Sequence, residues 1–170
     1  MRRLGRSIAI NRWRRVVWLA MPLFALALVV PFIATLALTG ADTAAKPIKS
    51  HRVVFQINTS DPETMRHVIA NALNLAQAYG EVDQPSSIEI VAYGPGVHMF
   101  RTDTSPVLEL LRLLRANVRG VVFTVCGNTR RIMERNEGHP LSLVDGVQVV
   151  PSGVVRLVEL QEAGWSYLRP

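Results

Sequence analysis

The chain has 170 residues, 49% of them apolar, and 19 Lys and Arg against 13 Asp and Glu give a formal net charge of +6. That length allows one ordinary domain and a short appendage. The excess charge does not mark a nucleic-acid binder: residues 41–170 carry 13 basic and 13 acidic residues, and all of the surplus lies in Arg2, Arg3, Arg6, Arg12, Arg14 and Arg15. A phosphate-binding face needs basic residues on the folded domain, so nucleic acid is excluded as a partner.

Residues 1–15 form a basic arm. From Val16 to Gly40 there is no charged residue. At helical rise this run reaches roughly 37 Å, enough for a hydrocarbon core of about 30 Å. Positive charge stays on the cytoplasmic side, so residues 16–40 are expected to contact membrane lipid as a single-pass signal anchor in the inner membrane, with the rest of the chain periplasmic. A cleaved signal peptide is the alternative; its apolar core is typically about 7–15 residues, shorter than this run. Residues 41–50 (ADTAAKPIKS) read as a linker, and a domain is expected over 51–170.

Arg52–Ile57 predicts a first strand. Ser60 or Asp61 with Pro62 predicts a helix start, followed by Met65, Val68, Ile69, Ala72, Leu73, Ala76 and Tyr79 at helical spacing and a stop at Gly80. Ser87–Tyr93 is a second strand, ended by Gly94-Pro95-Gly96. Ser105-Pro106 opens a second helix with Val107, Leu110, Leu111, Leu114 and Val118 as its stripe. Gly120–Val125 is a nearly continuous apolar strand, as in a sheet buried on both faces. Cys126-Gly127-Asn128-Thr129 starts a short basic helix. Val147–Val150 is a fourth strand. Pro151-Ser152-Gly153 leads into a last helix carrying Val154, Val155, Val158 and Gln161, and Trp165–Leu168 adds a short final strand. Strands alternating with helices imply an α/β domain with a doubly wound, mainly parallel sheet of four or five strands.

Ligands of such sheets sit at the carboxyl ends of the strands. Here those ends are Asn58-Thr59-Ser60, Tyr93-Gly94-Pro95-Gly96, Cys126-Gly127-Asn128 and Pro151-Ser152-Gly153. Cys126 is the sole cysteine, so no disulfide can form within the chain. At a strand-to-helix junction it faces unpaired N–H groups and the positive end of a helix dipole, which favour the thiolate; Arg130 and Arg131 add positive charge one turn on. The competing reading is a small buried hydrophobe. His51, His67, His98 and His139 have no metal-ligand spacing, and no metal or cofactor is implied. Only His98 falls at the strand-end face. There is no phosphate loop, dinucleotide fingerprint or hydrolase triad.

The segments GVVFTVCGNT (120–129) and VVPSGVVRLVELQEAGWSYLRP (149–170), with RVVFQINTSDP and VAYGPG, resemble the DsrE/DsrF-like proteins of sulfur oxidation and sulfur relay. The resemblance covers nearly all of residues 51–170. It implies a flavodoxin-like α/β fold, homo-oligomers (trimers or hexamers), and a persulfide on the cysteine after the third strand, handed on to a partner protein. That cysteine corresponds to Cys126. On this reading the backbone of Gly127 and Asn128 stabilises negative charge on sulfur, Asn58, Tyr93, Gly94, Ser152 and Gly153 shape the pocket, and a sulfur donor or acceptor protein is the partner. The alternative is a non-catalytic oligomeric binding or scaffold module for a small anion or a protein.

Overall fold

A computed structural model describes residues 50–170. The expected basic arm, membrane segment and most of the linker lie outside the described residues. Among the described residues, no helix is long and apolar enough to cross a membrane.

The elements run β1 (His51–Ile57), α1 (Pro62–Gly80), β2 (Ser86–Ala92), a 3-10 helix (Gly94–Phe100), α2 (Leu108–Asn117), β3 (Val122–Cys126), α3 (Gly127–Glu137), β4 (Gln148–Val150), α4 (Gly153–Glu162) and β5 (Ser166–Leu168). The five strands form one sheet in the order β4-β3-β2-β1-β5, and every pairing is parallel. The register aligns Phe55 with Ile90 and Ile90 with Phe123. Asp61 caps α1 by accepting from the Thr64 N–H at 2.8 Å, and Pro62 occupies its first turn, where its missing N–H costs nothing.

Crossovers between parallel strands are right-handed. Stepping from β1 through β4 in one direction therefore places α1, α2 and α3 on one face. The return from β4 to β5, at the far edge, places α4 on the other. The packing follows this division. One core joins Phe55, Ile57, Ile88, Ile90, Phe123 and Val125 to Met65, Val68 and Ile69 of α1 and Leu111 and Leu114 of α2, with Met133 of α3 against it. The second is small: Val54, Val91, Leu157 and Leu160, with Tyr93 and Trp165 beside them.

Three local readings differ from the expectation. The Gly94-Pro95-Gly96 turn opens a 3-10 helix rather than a plain loop, and α2 starts at Leu108, after Ser105 has spent its hydroxyl on the Met99 carbonyl (2.6 Å). The stripe of α4 also differs. Val154, Val155 and Val158 are exposed, and Gly153, Leu157 and Leu160 face the sheet. Arg156 is on the sheet side as well, donating to Glu89 of β2.

Candidate functional site

Adjacent strands β3 and β4 send their following helices to opposite faces of the sheet. A crevice opens at such a switch point, outside the carboxyl ends of the strands. Cys126 ends β3, pairs with Val150 at the end of β4, and sits at the N-terminus of α3. It is a free cysteine, 6% exposed.

Two glycines let the chain close around it. A Cβ at position 127 would lie 2.9 Å from the Val150 carbonyl oxygen and 3.4 Å from a Val149 methyl, so only glycine lets α3 begin this close to β4. The Asn128 N–H donates to the Pro151 carbonyl at 3.3 Å, tying the two junctions together. A Cβ at position 153 would lie 3.1 Å from Cys126 Cβ and 3.2 Å from Tyr93 Cβ. The first residue of α4 is therefore seated directly on the cysteine and on the end of β2.

Burial is the largest influence on the thiol and opposes ionisation. The backbone N–H groups of Gly153 and Thr129, the Thr129 hydroxyl and the Asn128 N–H act against it and outweigh it, so Cys126 is held below the ordinary thiol value. The sulfur closes no cap hydrogen bond of standard geometry to α3. Its donors converge from two helix N-termini and gain most once the sulfur carries charge. Thr129 is well placed for this: its oxygen already accepts from the Gly94 N–H at 3.0 Å, which leaves its proton free for the sulfur.

The expected site residues are brought together, with changed roles. Asn128 and Gly153 supply donors, as does Thr129, which sequence reasoning did not single out. Its position three residues after the cysteine, where a helix-capping group finds its partner, was the available signal. Gly127 serves close packing. Ser152 caps α4, accepting from the Val155 N–H at 3.5 Å. Tyr93 accepts from Gln56 Nε2 at 2.6 Å, and Gln56 in turn accepts from the Tyr167 hydroxyl. Asn58 abuts Gly94 through its backbone carbonyl, which would lie 3.9 Å from a Cβ there. The anticipated basic pair is spent locally: Arg130 donates to Glu134 at 2.7 Å and Arg131 to Asn128.

The histidines lie in other settings. His51 stacks on Tyr79 and meets Gln84 at 2.6 Å, His98 meets Thr104 at 2.8 Å, His139 neighbours Glu137 at 3.7 Å, and His67 is exposed. No group of three or more His, Cys, Asp or Glu among the described residues could hold a metal ion. A groove of about 590 Å³ between α1 and α2, lined by Leu73, Gln77, Leu113 and Val118, shares no residue with the cysteine cluster.

A model of the DsrE/DsrF-like family matches residues 51–170. No curated protein matches the chain. Among solved structures, the chain is similar to the protein of unknown function MTH1491 from Methanobacterium thermoautotrophicum, with 36% identity, a TM-score of 0.60, and coverage of 71% of this chain and 99% of that one. It is also similar to the conserved protein of unknown function BT1422 from Bacteroides thetaiotaomicron, with 18% identity, a TM-score of 0.49, and coverage of 70% and 94%.

Proposed function

We infer the function of this chain from one premise: it belongs to the DsrE/DsrF-like family across residues 51–170. On that premise Cys126 is a sulfur carrier. The observation that carries this reading is the cradle itself: a lone cysteine at the switch point, with donors from two helix N-termini that favour its thiolate. An inert core cysteine needs no such donors.

The chemistry is thiol exchange. The Cys126 thiolate attacks the outer sulfur of a donor persulfide. A sulfur–sulfur bond forms at Cys126, the donor's sulfur–sulfur bond breaks, and the donor leaves as a thiolate, its hydrosulfide proton remaining on the transferred sulfur. An acceptor thiolate then attacks that outer sulfur, regenerating the Cys126 thiolate. No net oxidation occurs in either step, so one cysteine suffices and a second protein supplies each partner sulfur. The low exposure of Cys126 limits access to a thin, extended sulfur donor and shields the carried persulfide from bulk oxidants.

Two further parts belong to the same proposal. Residues 16–40 tether the domain to the inner membrane with residues 51–170 on the periplasmic side, the basic arm of residues 1–15 remaining in the cytoplasm. The domain works as a homo-oligomer, for which the exposed Val154, Val155 and Val158 of α4 offer an apolar surface.

The experiment uses one preparation of cells making the full chain. Protease applied outside the cytoplasmic membrane is expected to digest residues 51–170; full protection would overturn the tether's orientation. Protein isolated without reductant and offered a small-molecule persulfide is expected to gain about 32 Da, one sulfur atom, on the Cys126 peptide. Cys126→Ser should stay folded and gain nothing. A wild-type peptide that remains unmodified would overturn the carrier reading.

A further inference from the structure

The face of the sheet beneath α4 contains a charged cluster that the carrier reading does not use. Glu89, in the middle of β2, is 1% exposed. Its carboxylate accepts from the Thr124 hydroxyl at 2.7 Å and from Arg156 Nε at 2.9 Å on one oxygen, and from an Arg156 terminal nitrogen at 2.8 Å on the other. Thr124 lies two residues before Cys126 on the same strand face. Arg156 lies one turn into α4, its N–H donating to the Ser152 carbonyl at 3.1 Å. The cluster thus links β2, β3 and the first turn of α4.

Stability alone does not account for it. Buried ion pairs can often be replaced by apolar side chains at little or no cost. What the pair supplies is a fixed geometry, because a guanidinium fork on a carboxylate defines direction as well as distance. Apart from backbone ties at Pro151 and Ser152 and the close packing of Gly153, side chains fix this end of α4 only through Arg156: Val154, Val155 and Val158 are exposed, and the helix's apolar grip comes from Leu157 and Leu160 further along. Yet it is this end that must be placed within tenths of an ångström, since Gly153 sits against Cys126 and Tyr93.

We propose that the Glu89–Arg156 pair, anchored on Thr124, is a positioning device that holds the first turn of α4 over Cys126 and so aims the Gly153 N–H at the sulfur. The proposal rests on the reading of Cys126 as a working thiolate. The charged groups around the device are few. Arg156 faces Glu89 from β2 and Glu159 from its own helix at 3.8 Å. On the α3 side of the cysteine, Arg130 is held by Glu134 and Arg131 by Asn128. Tyr93 adds a phenol from the end of β2, engaged by Gln56.

The test is the pH profile of alkylation of Cys126, the protein's sole thiol, in the full chain as wild type, Arg156→Met, Arg156→Lys, Glu89→Gln and Thr124→Val, each checked for folding by thermal melting. Arg156→Met is expected to raise the midpoint by about one unit, which is about tenfold slower alkylation below both midpoints. Arg156→Lys keeps the charge but loses the fork, and is expected to raise it by less. Glu89→Gln and Thr124→Val should shift it in the same direction. If Arg156→Met or Glu89→Gln does not fold, Arg156→Lys and Thr124→Val decide. A lowered wild-type midpoint that no variant moves would overturn the device and leave the thiolate reading standing. A midpoint moved by Arg156→Met but untouched by Arg156→Lys and Thr124→Val would overturn positioning in favour of charge alone. A wild-type midpoint equal to that of an unfolded thiol would overturn the thiolate reading and the device together.

Discussion

Gly153 is the residue on which the site is most sensitive. Its missing side chain lets a helix N-terminus rest on Cys126, and a methyl group would meet two Cβ atoms that cannot rotate away. Gly153→Ala is expected to push α4 outward, lowering stability by about 1–3 kcal/mol as overpacking does. It should also raise the midpoint of Cys126 alkylation, because the displaced N–H is one of the groups that lower it. A variant that melts lower but keeps the wild-type midpoint would show that the Gly153 N–H does not act on the sulfur. Residue type and position were legible in the sequence here: Cys126 after a buried strand and Pro151-Ser152-Gly153 before a helix were both expected at the ligand-binding end of the sheet. Their direct contact was not. It depends on the pairing of β3 with β4 and on the return of α4 across the opposite face, and neither is a local property of the chain.

At the scale of elements, the strands and helices were readable because α1, α2 and β1–β3 bury apolar residues at regular spacing, and the structure buries Met65, Val68, Ile69, Leu111 and Leu114 as that spacing requires. On α4 the valines named from the sequence are exposed, and Leu157 and Leu160 are buried instead, beside the Arg156–Glu89 pair, a contact 67 residues apart in sequence. A lone glutamate inside the apolar strand Ser86–Ala92 was the visible clue. A second long-range link, also missed, fixes the segment after the 3-10 helix. Arg101 is 2% exposed and donates to Asp103 (2.9 and 2.6 Å) and to Glu137 at the end of α3 (2.6 and 2.7 Å). The guanidinium holds the Asp103 carboxyl down at about 2 and lowers that of Glu137 as well. A carboxylate depressed in the folded state adds stability that is present above its unfolded value, near pH 4, and lost as pH falls through the folded value. Thermal melting of the wild type is therefore expected to drop between about pH 4 and pH 2. Asp103→Asn/Glu137→Gln, which leaves the buried Arg101 without a charged partner, should lower the melting temperature at neutral pH and flatten that acid dependence. An acid profile unchanged in the double variant would show that these carboxylates are not its source.

For the whole molecule, strand order decides where chemistry can occur. Three crossovers advance in one direction and the fourth returns, so the sheet has a broad apolar core on one face and a thin, partly polar one on the other. The polar layer of Gln56, Glu89, Thr124 and Tyr93 lies under the single helix whose first residue touches Cys126. The near-continuous apolar run Gly120–Val125 suggested strands buried on both faces of the sheet. The isolated polar residues within them marked the face that serves the site. The proposed tether adds one constraint: a free thiol held outside the cytoplasm meets oxidising conditions, and a buried sulfur in a closed cradle is a form in which it can persist. A working Cys126 requires the ionisation of that sulfur. Its most direct measurement is the pH dependence of thiolate formation at Cys126 in the wild-type protein, followed by ultraviolet absorbance and compared with the same chain unfolded in denaturant. The expected result is a folded-state midpoint clearly below the unfolded one. A folded-state midpoint at or above it would rule out a thiolate carrier at Cys126, because burial would then have outweighed every donor in the cradle.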